Sequence, residues 1–321
     1  MELIQQYIPK KLQDLSMIIG LAYLGIKFLK FTGFLWQIQP LKLRNNLIRK
    51  YGQNSYALVT GSTDGIGKQL AISAAKRGFN LILISRNMDK LEATKQEINK
   101  LYSGLDIVLV QADFSKAFEN GFFEAIAQKT NKYDISILVN NVGIDKFSPL
   151  KDIDDKVILD LIQINTYSQI MMTKIFAEKI NSRPQKGGII FTGSFSGFEP
   201  IKYFQVYGST KALIKSFSLN VQNEYPNLDI LHITPGEVST TLIFNKKPSL
   251  SVATPQSCAE GSFEDLGRYF QTDGATRHKI FNSVLRLIPY SIFNFIFCNF
   301  TSKKMLKERQ DGEQKYHKKH N

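Results

Sequence analysis

Apolar residues along this chain come in two textures. Six short runs at positions 56–60 (YALVT), 80–84 (NLILI), 106–111 (DIVLVQ), 135–139 (ISILV), 188–192 (GIIFT) and 228–234 (LDILHIT) are too brief for helices and rich in β-branched residues. Between them, positions 68–77, 88–101, 118–130 and 157–179, and a stretch running from Tyr207 toward Tyr225, repeat apolar residues at the helical period. Buried runs alternating with helical patterns predict an α/β fold: a Rossmann-like, doubly wound parallel sheet with helices on both faces.

Two longer apolar stretches flank this pattern. Residues 15–36 (LSMIIGLAYLGIKFLKFTGFLW) are about as long as a bilayer is thick, are interrupted by Lys27 and Lys30, and show no A-x-A-like cleavage site. A retained N-terminal membrane-anchor helix is expected, spanning or lying at the interface; an apolar helix docked on the globular part is the alternative. Lys42, Arg44, Arg49 and Lys50 follow it while Lys10 and Lys11 precede it, so the positive-inside rule puts the rest of the chain in the cytosol. Residues 280–300 (IFNSVLRLIPYSIFNFIFCNF), broken by Pro289, read equally as a lid helix on the core or a membrane-embedded segment. The expected organisation is an anchor and basic linker (1–51), a central α/β domain (52–241), a loop-like flap with an apolar C-terminal segment (242–300), and a flexible basic tail (301–321).

Composition narrows the function classes. Two cysteines, Cys258 and Cys298, make no disulfide framework, and the four histidines show no metal-ligand spacing. The net charge of +13 collects at the ends, with +6 in residues 1–51 and +4 in residues 301–321, leaving +3 for the middle. Basic charge beside apolar ends suits an anionic membrane surface better than a nucleic-acid groove.

The chemistry lies where the predicted strands end. Gly61-Ser62-Thr63-Asp64-Gly65-Ile66-Gly67 follows the first strand and opens a helix; glycines there let backbone N–H groups approach a pyrophosphate, and the helix dipole favours its charge. Arg86 ends the second strand where an NAD site would place an acid, which suits the extra phosphate of NADP. Asp113 ends the third, either to meet an adenine or to cap the next helix. Asn140-Asn141-Val142-Gly143 follows the fourth, as a tight turn or as the lining of a cofactor cleft. Asn165 interrupts a helical pattern, where asparagine is unfavourable. Tyr207 and Lys211, four residues apart, share a helix face, and an ammonium beside a phenol is expected to lower the phenol's pKa toward neutrality.

With Gly61-x-x-x-Gly65-x-Gly67, Asn140-Asn141-Val142-Gly143, Ser194, Tyr207-x-x-x-Lys211 and Pro235-Gly236 in this order, residues 53–240 resemble the short-chain dehydrogenase/reductase family. Residues 59–68 (VTGSTDGIGK), 83–86 (LISR) and 137–143 (ILVNNVG) look like the branch of very-long-chain 3-oxoacyl-CoA reductases and 17-beta-hydroxysteroid dehydrogenases, endoplasmic-reticulum membrane proteins. Lys318-Lys319-His320-Asn321 looks like a dilysine retrieval signal, read on the cytosolic side.

The resemblance implies NADPH-dependent reduction of a 3-oxoacyl-CoA in fatty-acid elongation. Another lipophilic ketone such as a 17-ketosteroid is the alternative, and a non-catalytic membrane scaffold the reading from a different class. Tyr207 would be the general acid, Lys211 would tune it and hold the nicotinamide ribose, and Ser194 would orient the carbonyl. Asn165 would hold a relay water, and Thr240, after Pro235-Gly236, would contact the nicotinamide carboxamide. The implied partners are a lipophilic carbonyl substrate, the membrane, other elongation enzymes and a second copy of the chain. Gly193 and Gly208 depart from the family's usual serines.

Overall fold

The computed structural model describes residues 9–38, 46–286 and 288–320. The chain divides into two units, residues 1–43 and 44–321. In the first, Lys10–Ile38 is one helix. It is long and apolar enough to cross a bilayer, and Ile18, Ile19, Leu24 and Phe28 are all exposed along it. Lys42 and Arg44, counted for the charge asymmetry, lie outside the described residues.

The second unit is built on a seven-stranded parallel sheet of order β3-β2-β1-β4-β5-β6-β9. Its strands are β1 Tyr56–Thr60, β2 Asn80–Ser85, β3 Ile107–Gln111, β4 Ile135–Asn140, β5 Gly187–Thr192, β6 Leu228–Ile233 and β9 Gln271–Thr272. A separate two-stranded pair joins β7 Glu237–Val238 to β8 Val252–Ala253. Side chains alternate across the sheet, and both faces are apolar. Ala57, Val59, Leu81, Leu83, Ile137 and Val139 pack on one side under the helices Gly65–Ala75, Met88–Leu101 and Pro255–Asp265. Leu58, Ile82, Ile84, Leu138, Ile189 and Phe191 pack on the other under Phe122–Thr130, Ser168–Asn181 and Gln205–Glu224.

Three features depart from the sequence pattern. Leu47–Tyr51 is a short helix of the core rather than part of a linker: Leu47 and Tyr51 are buried, and the Tyr51 hydroxyl donates to Asp229 at 2.8 Å. The helical pattern over 157–179 is interrupted by a π turn at Gln163–Tyr167, which accommodates Asn165. The tail expected to be flexible is a helix, Ser302–His320. Met305 and Arg309 on its inward side meet the cavity described below, so tertiary contact orders a segment whose composition reads as solvated. Asn321 lies outside the described residues.

Candidate active site

The strand ends converge on one cavity of about 780 Å³. Its position is set by topology. The chain winds outward in opposite directions from β1 and β4, so the loops after these neighbours separate and leave a crevice at the carboxyl ends. Thr60, the last residue of β1, ties the two lips together: its hydroxyl donates to the Val139 carbonyl at 3.1 Å and accepts from the N–H groups of Asn141 at 2.9 Å and Val142 at 3.1 Å.

At one end lies the glycine turn. Gly65 has φ +54°, and a Cβ there would come 2.9 Å from the Thr240 side chain. A Cβ on Gly67 would run into the Gly61 carbonyl and the Asn141 amide, so the helix can approach β1 only with glycine at that place. Asp64 caps the helix by accepting from the Gly65 N–H at 2.6 Å, and its other oxygen accepts from the Thr241 hydroxyl. Gly61, Asp64, Gly65, Ile66 and Gly67 line the cavity, as do Arg86 and Asp113. The Arg86 side chain is exposed on this wall, and Asp113 also caps a short 3₁₀ turn by accepting from the Ser115 N–H at 3.1 Å.

Two expected cofactor residues point elsewhere. Ser62 is fully buried behind the turn, donating to the Ile84 carbonyl at 3.3 Å. Asn140 is also fully buried, and its amide donates to Thr173 at 2.9 Å. Asn141 lines the cavity in its place, because the last residue of β4 faces the helix layer and the next one turns outward. Thr63, whose hydroxyl is 2.9 Å from that of Ser85, is a further wall residue that the spacing did not single out.

In the middle of the cavity stand Ser194, Tyr207 and Lys211. Ser194 leaves β5, and its hydroxyl accepts from the Ser196 hydroxyl at 3.0 Å. The Lys211 ammonium sits 5.6 Å from the Tyr207 ring centroid and donates to the Thr192 carbonyl at 2.9 Å. Burial pushes the Lys211 ammonium down to about 8, against the pull of Asp145 in the other direction. The phenol does not follow the expected direction. Burial and then the Asp145 carboxylate raise the Tyr207 pKa above the usual tyrosine range, with Ser194 and Arg309 opposing them.

Asn165 lies behind this wall rather than on it. Its amide accepts from the Ile144 N–H at 2.9 Å and donates to the Ile144 carbonyl at 2.9 Å and to Thr210 at 3.2 Å. The asparagine inside a helix thus clamps the loop after β4 to the helix that carries Tyr207. The two unusual glycines also have steric reasons. A Cβ on Gly193 would strike the His232 ring, which burial and the neighbouring lysines hold neutral with a pKa of about 3, and one on Gly208 would come 2.9 Å from the Ser196 carbonyl.

Pro235, Gly236 and Thr240 line the opposite wall. Buried His278 fixes this loop by accepting from the Gly236 N–H at 3.3 Å on Nδ1, leaving Nε2, 3.2 Å from the Ser251 carbonyl, to donate. Beyond Tyr207 the cavity becomes apolar. Phe281, Leu285, Phe293, Phe297 and Met305 of the C-terminal segment line it. The segment breaks before Pro289 into Thr276–Leu285 and Tyr290–Ile296, and its outer face leaves Tyr290, Ile292, Phe295 and Phe300 exposed.

The sequence profile described as short chain dehydrogenase matches residues 55–249. The chain is 32% identical over 257 residues to very-long-chain 3-oxoacyl-CoA reductase-B of Danio rerio, a match spanning 78% of this chain and 81% of that one. It is 33% identical over 260 residues to 17-beta-hydroxysteroid dehydrogenase type 3 of Homo sapiens, spanning 79% and 80%. Among solved structures, a short-chain dehydrogenase from Sphingobium yanoikuyae in complex with NADPH shares the fold, with a TM-score of 0.60 at 24% identity over 66% of this chain and 84% of that one.

Proposed function

The chain belongs to the short-chain dehydrogenase/reductase family of oxidoreductases, in the branch of the 3-oxoacyl-CoA reductases and hydroxysteroid dehydrogenases, and we propose that it reduces the 3-oxo group of a long-chain acyl-CoA with NADPH. The observation that carries this reading is one cavity that joins a phosphate-type glycine turn, the Ser194, Tyr207 and Lys211 set, and an apolar extension lined by Phe281, Leu285, Phe293, Phe297 and Met305.

The residues present fit the cofactor. Gly65 and Gly67 leave the space that side chains would fill, Ile66 and Gly67 offer first-turn N–H groups to a pyrophosphate, and Arg86 offers a guanidinium to a 2′-phosphate. Asp113 would meet the adenine, Pro235, Gly236 and Thr240 the nicotinamide end, and Lys211 the ribose. Bound NADPH would supply the hydride to the carbonyl carbon.

The protein's own groups then handle the oxygen. Ser194 donates to the substrate carbonyl and orients it beside Tyr207. Tyr207 gives its proton to the oxygen as negative charge develops there. A phenol held protonated by burial is in the state that reduction requires, and the Lys211 ammonium, 5.6 Å from the centre of its ring, offsets the phenolate left behind. A water beside Asn165 would return a proton from solvent.

The N-terminal helix would anchor the protein in the endoplasmic-reticulum membrane, and the basic residues after it would keep the catalytic unit on the cytosolic side. The exposed face of Tyr290, Ile292, Phe295 and Phe300, with Lys303, Lys304 and Lys307 close behind, would rest on the bilayer beside the cavity mouth.

Two measurements test the reading. Purified protein in detergent is expected to oxidise NADPH with a long-chain 3-oxoacyl-CoA, and Tyr207→Phe is expected to abolish this; turnover that persists in Tyr207→Phe would refute the role of the phenol. A steroid or other lipophilic ketone is the second reading, favoured by the likeness to a 17-beta-hydroxysteroid dehydrogenase. The ratio of kcat/KM values for acyl-CoA and 17-ketosteroid separates the two.

A further inference from the structure

Asp145 follows the loop after β4 and lines the cavity next to Tyr207, a place where a carboxylate would oppose the reaction. A phenol that gives up its proton becomes an anion, and a fixed negative charge nearby disfavours that state. Asp145 has little freedom to withdraw, because Asn165 grips the preceding residue, Ile144, through both its N–H and its carbonyl at 2.9 Å. Its side chain is 10% exposed, so solvent does little to screen it.

Arg309 meets it from far along the chain. The guanidinium pairs with Asp145 Oδ2 at 3.0 Å and is itself 13% exposed. The same group donates to the Leu242 carbonyl at 2.8 Å and lies 5.8 Å from the centre of the Phe204 ring, which packs 4.7 Å from the Tyr207 ring. One side chain of the Ser302–His320 helix thus touches the loop after β4, the loop after β7 and the aromatic ring that supports the tyrosine.

We propose that Arg309 is a positioning residue for proton transfer: by pairing with Asp145 and bracing Phe204 it offsets the negative charge that faces Tyr207. This inference rests on the reading of Tyr207 as the proton donor. Burial and Asp145 raise the phenol's pKa while Ser194 and Arg309 lower it, which is the direction the geometry requires. Other charges lining the cavity are Lys211, whose ammonium Asp145 helps to retain, Lys246 and Glu237, and Lys304 and Glu308 of the same helix as Arg309. Lys246 pairs with Glu237 at 3.0 Å and Glu308 at 3.5 Å. Phe244 packs on Gly312, so the helix has holds on the flap besides Arg309.

The test uses the full chain in detergent, with NADPH and whichever carbonyl substrate the wild type reduces. Arg309→Met is expected to lower kcat by up to about tenfold, since a phenol one pKa unit less acidic is a weaker proton donor by at most a decade in rate, while the NADPH dissociation constant, read by fluorescence, stays within about threefold. Arg309→Lys should keep most of the activity. The decisive arm is the double variant Asp145→Asn, Arg309→Met, which removes both charges and is expected to recover kcat to within about threefold of Asp145→Asn alone. An Arg309→Met enzyme with unchanged kcat overturns the proposal, as does one that loses only KM for the substrate. A double variant that stays inactive or unfolded also overturns it, because Arg309 would then serve the helix and not the charge. Activity in Tyr207→Phe would sink the underlying reading, whereas an inactive Tyr207→Phe beside a fully active Arg309→Met sinks this inference alone.

Discussion

Lys211 is held at a thermodynamic cost that can be measured. Its side chain is 3% exposed, and burial pushes its pKa from 10.5 down to about 8. At about 1.4 kcal/mol per decade, that displacement is a penalty of about 3 kcal/mol on the folded state wherever the lysine is charged in both states. Lys211→Met removes the charge and keeps the length. It also removes the donor to the Thr192 carbonyl, worth about 1 kcal/mol, so the net gain at pH 7 is about 2 kcal/mol. For a unit of this size that raises Tm by about 5 °C.

The sign of the pH dependence follows from the displacement. The folded pKa is the lower one, so between about 8 and 10.5 the unfolded chain keeps a proton that the folded chain has released. The wild type therefore gains stability as pH rises through that window, and the advantage of the Met variant shrinks there. Thermal unfolding of both proteins at pH 7.0 and 9.5 reads the difference, and NADPH oxidation in the same samples should be lost in the variant. A variant less stable than wild type at pH 7, or a gap indifferent to pH, would show that the ammonium is not held against burial.

Arg86→Ala should raise KM for NADPH about tenfold or more and leave NADH kinetics nearly unchanged, because a guanidinium to phosphate contact exists with one cofactor and not the other; equal effects on both in steady-state assays would remove Arg86 from the 2′-phosphate. Lys279 and Asp265 form a buried ion pair away from the cavity, with Thr272 donating to the carboxylate at 2.6 Å. Lys279→Met takes the ammonium away from that buried carboxylate and should destabilise the protein by about 3 kcal/mol or more in chemical denaturation; a loss below about 1 kcal/mol, the scale of an exposed pair, would contradict the burial argument.

Six of the seven strands of the main sheet were legible because each is a local run of apolar residues between turn residues. The seventh, Gln271–Thr272, is two residues long and has no pattern of its own; it exists because β6 offers an edge to pair with. The glycine turn and the Tyr207 and Lys211 spacing were legible for the same local reason. Choosing Asn140 over Asn141 failed because adjacent asparagines differ only in which side of the sheet they face, and that depends on where β4 ends. The expectation of an acidified phenol failed because it counted Lys211 alone, without the burial and the carboxylate that surround Tyr207.

The chain by itself determined the α/β alternation, the strand ends where chemistry collects, and the residue types of a dehydrogenase site, since each is written in neighbouring positions at period 2, 3.6 or a fixed short spacing. Only the tertiary structure decided the rest: that Thr60 joins the two lips of the crevice, that the basic tail folds back as a helix, and that Arg309 meets Asp145 beside Tyr207. Those are pairings between distant segments, and burial and charge act through space, where sequence separation leaves no trace.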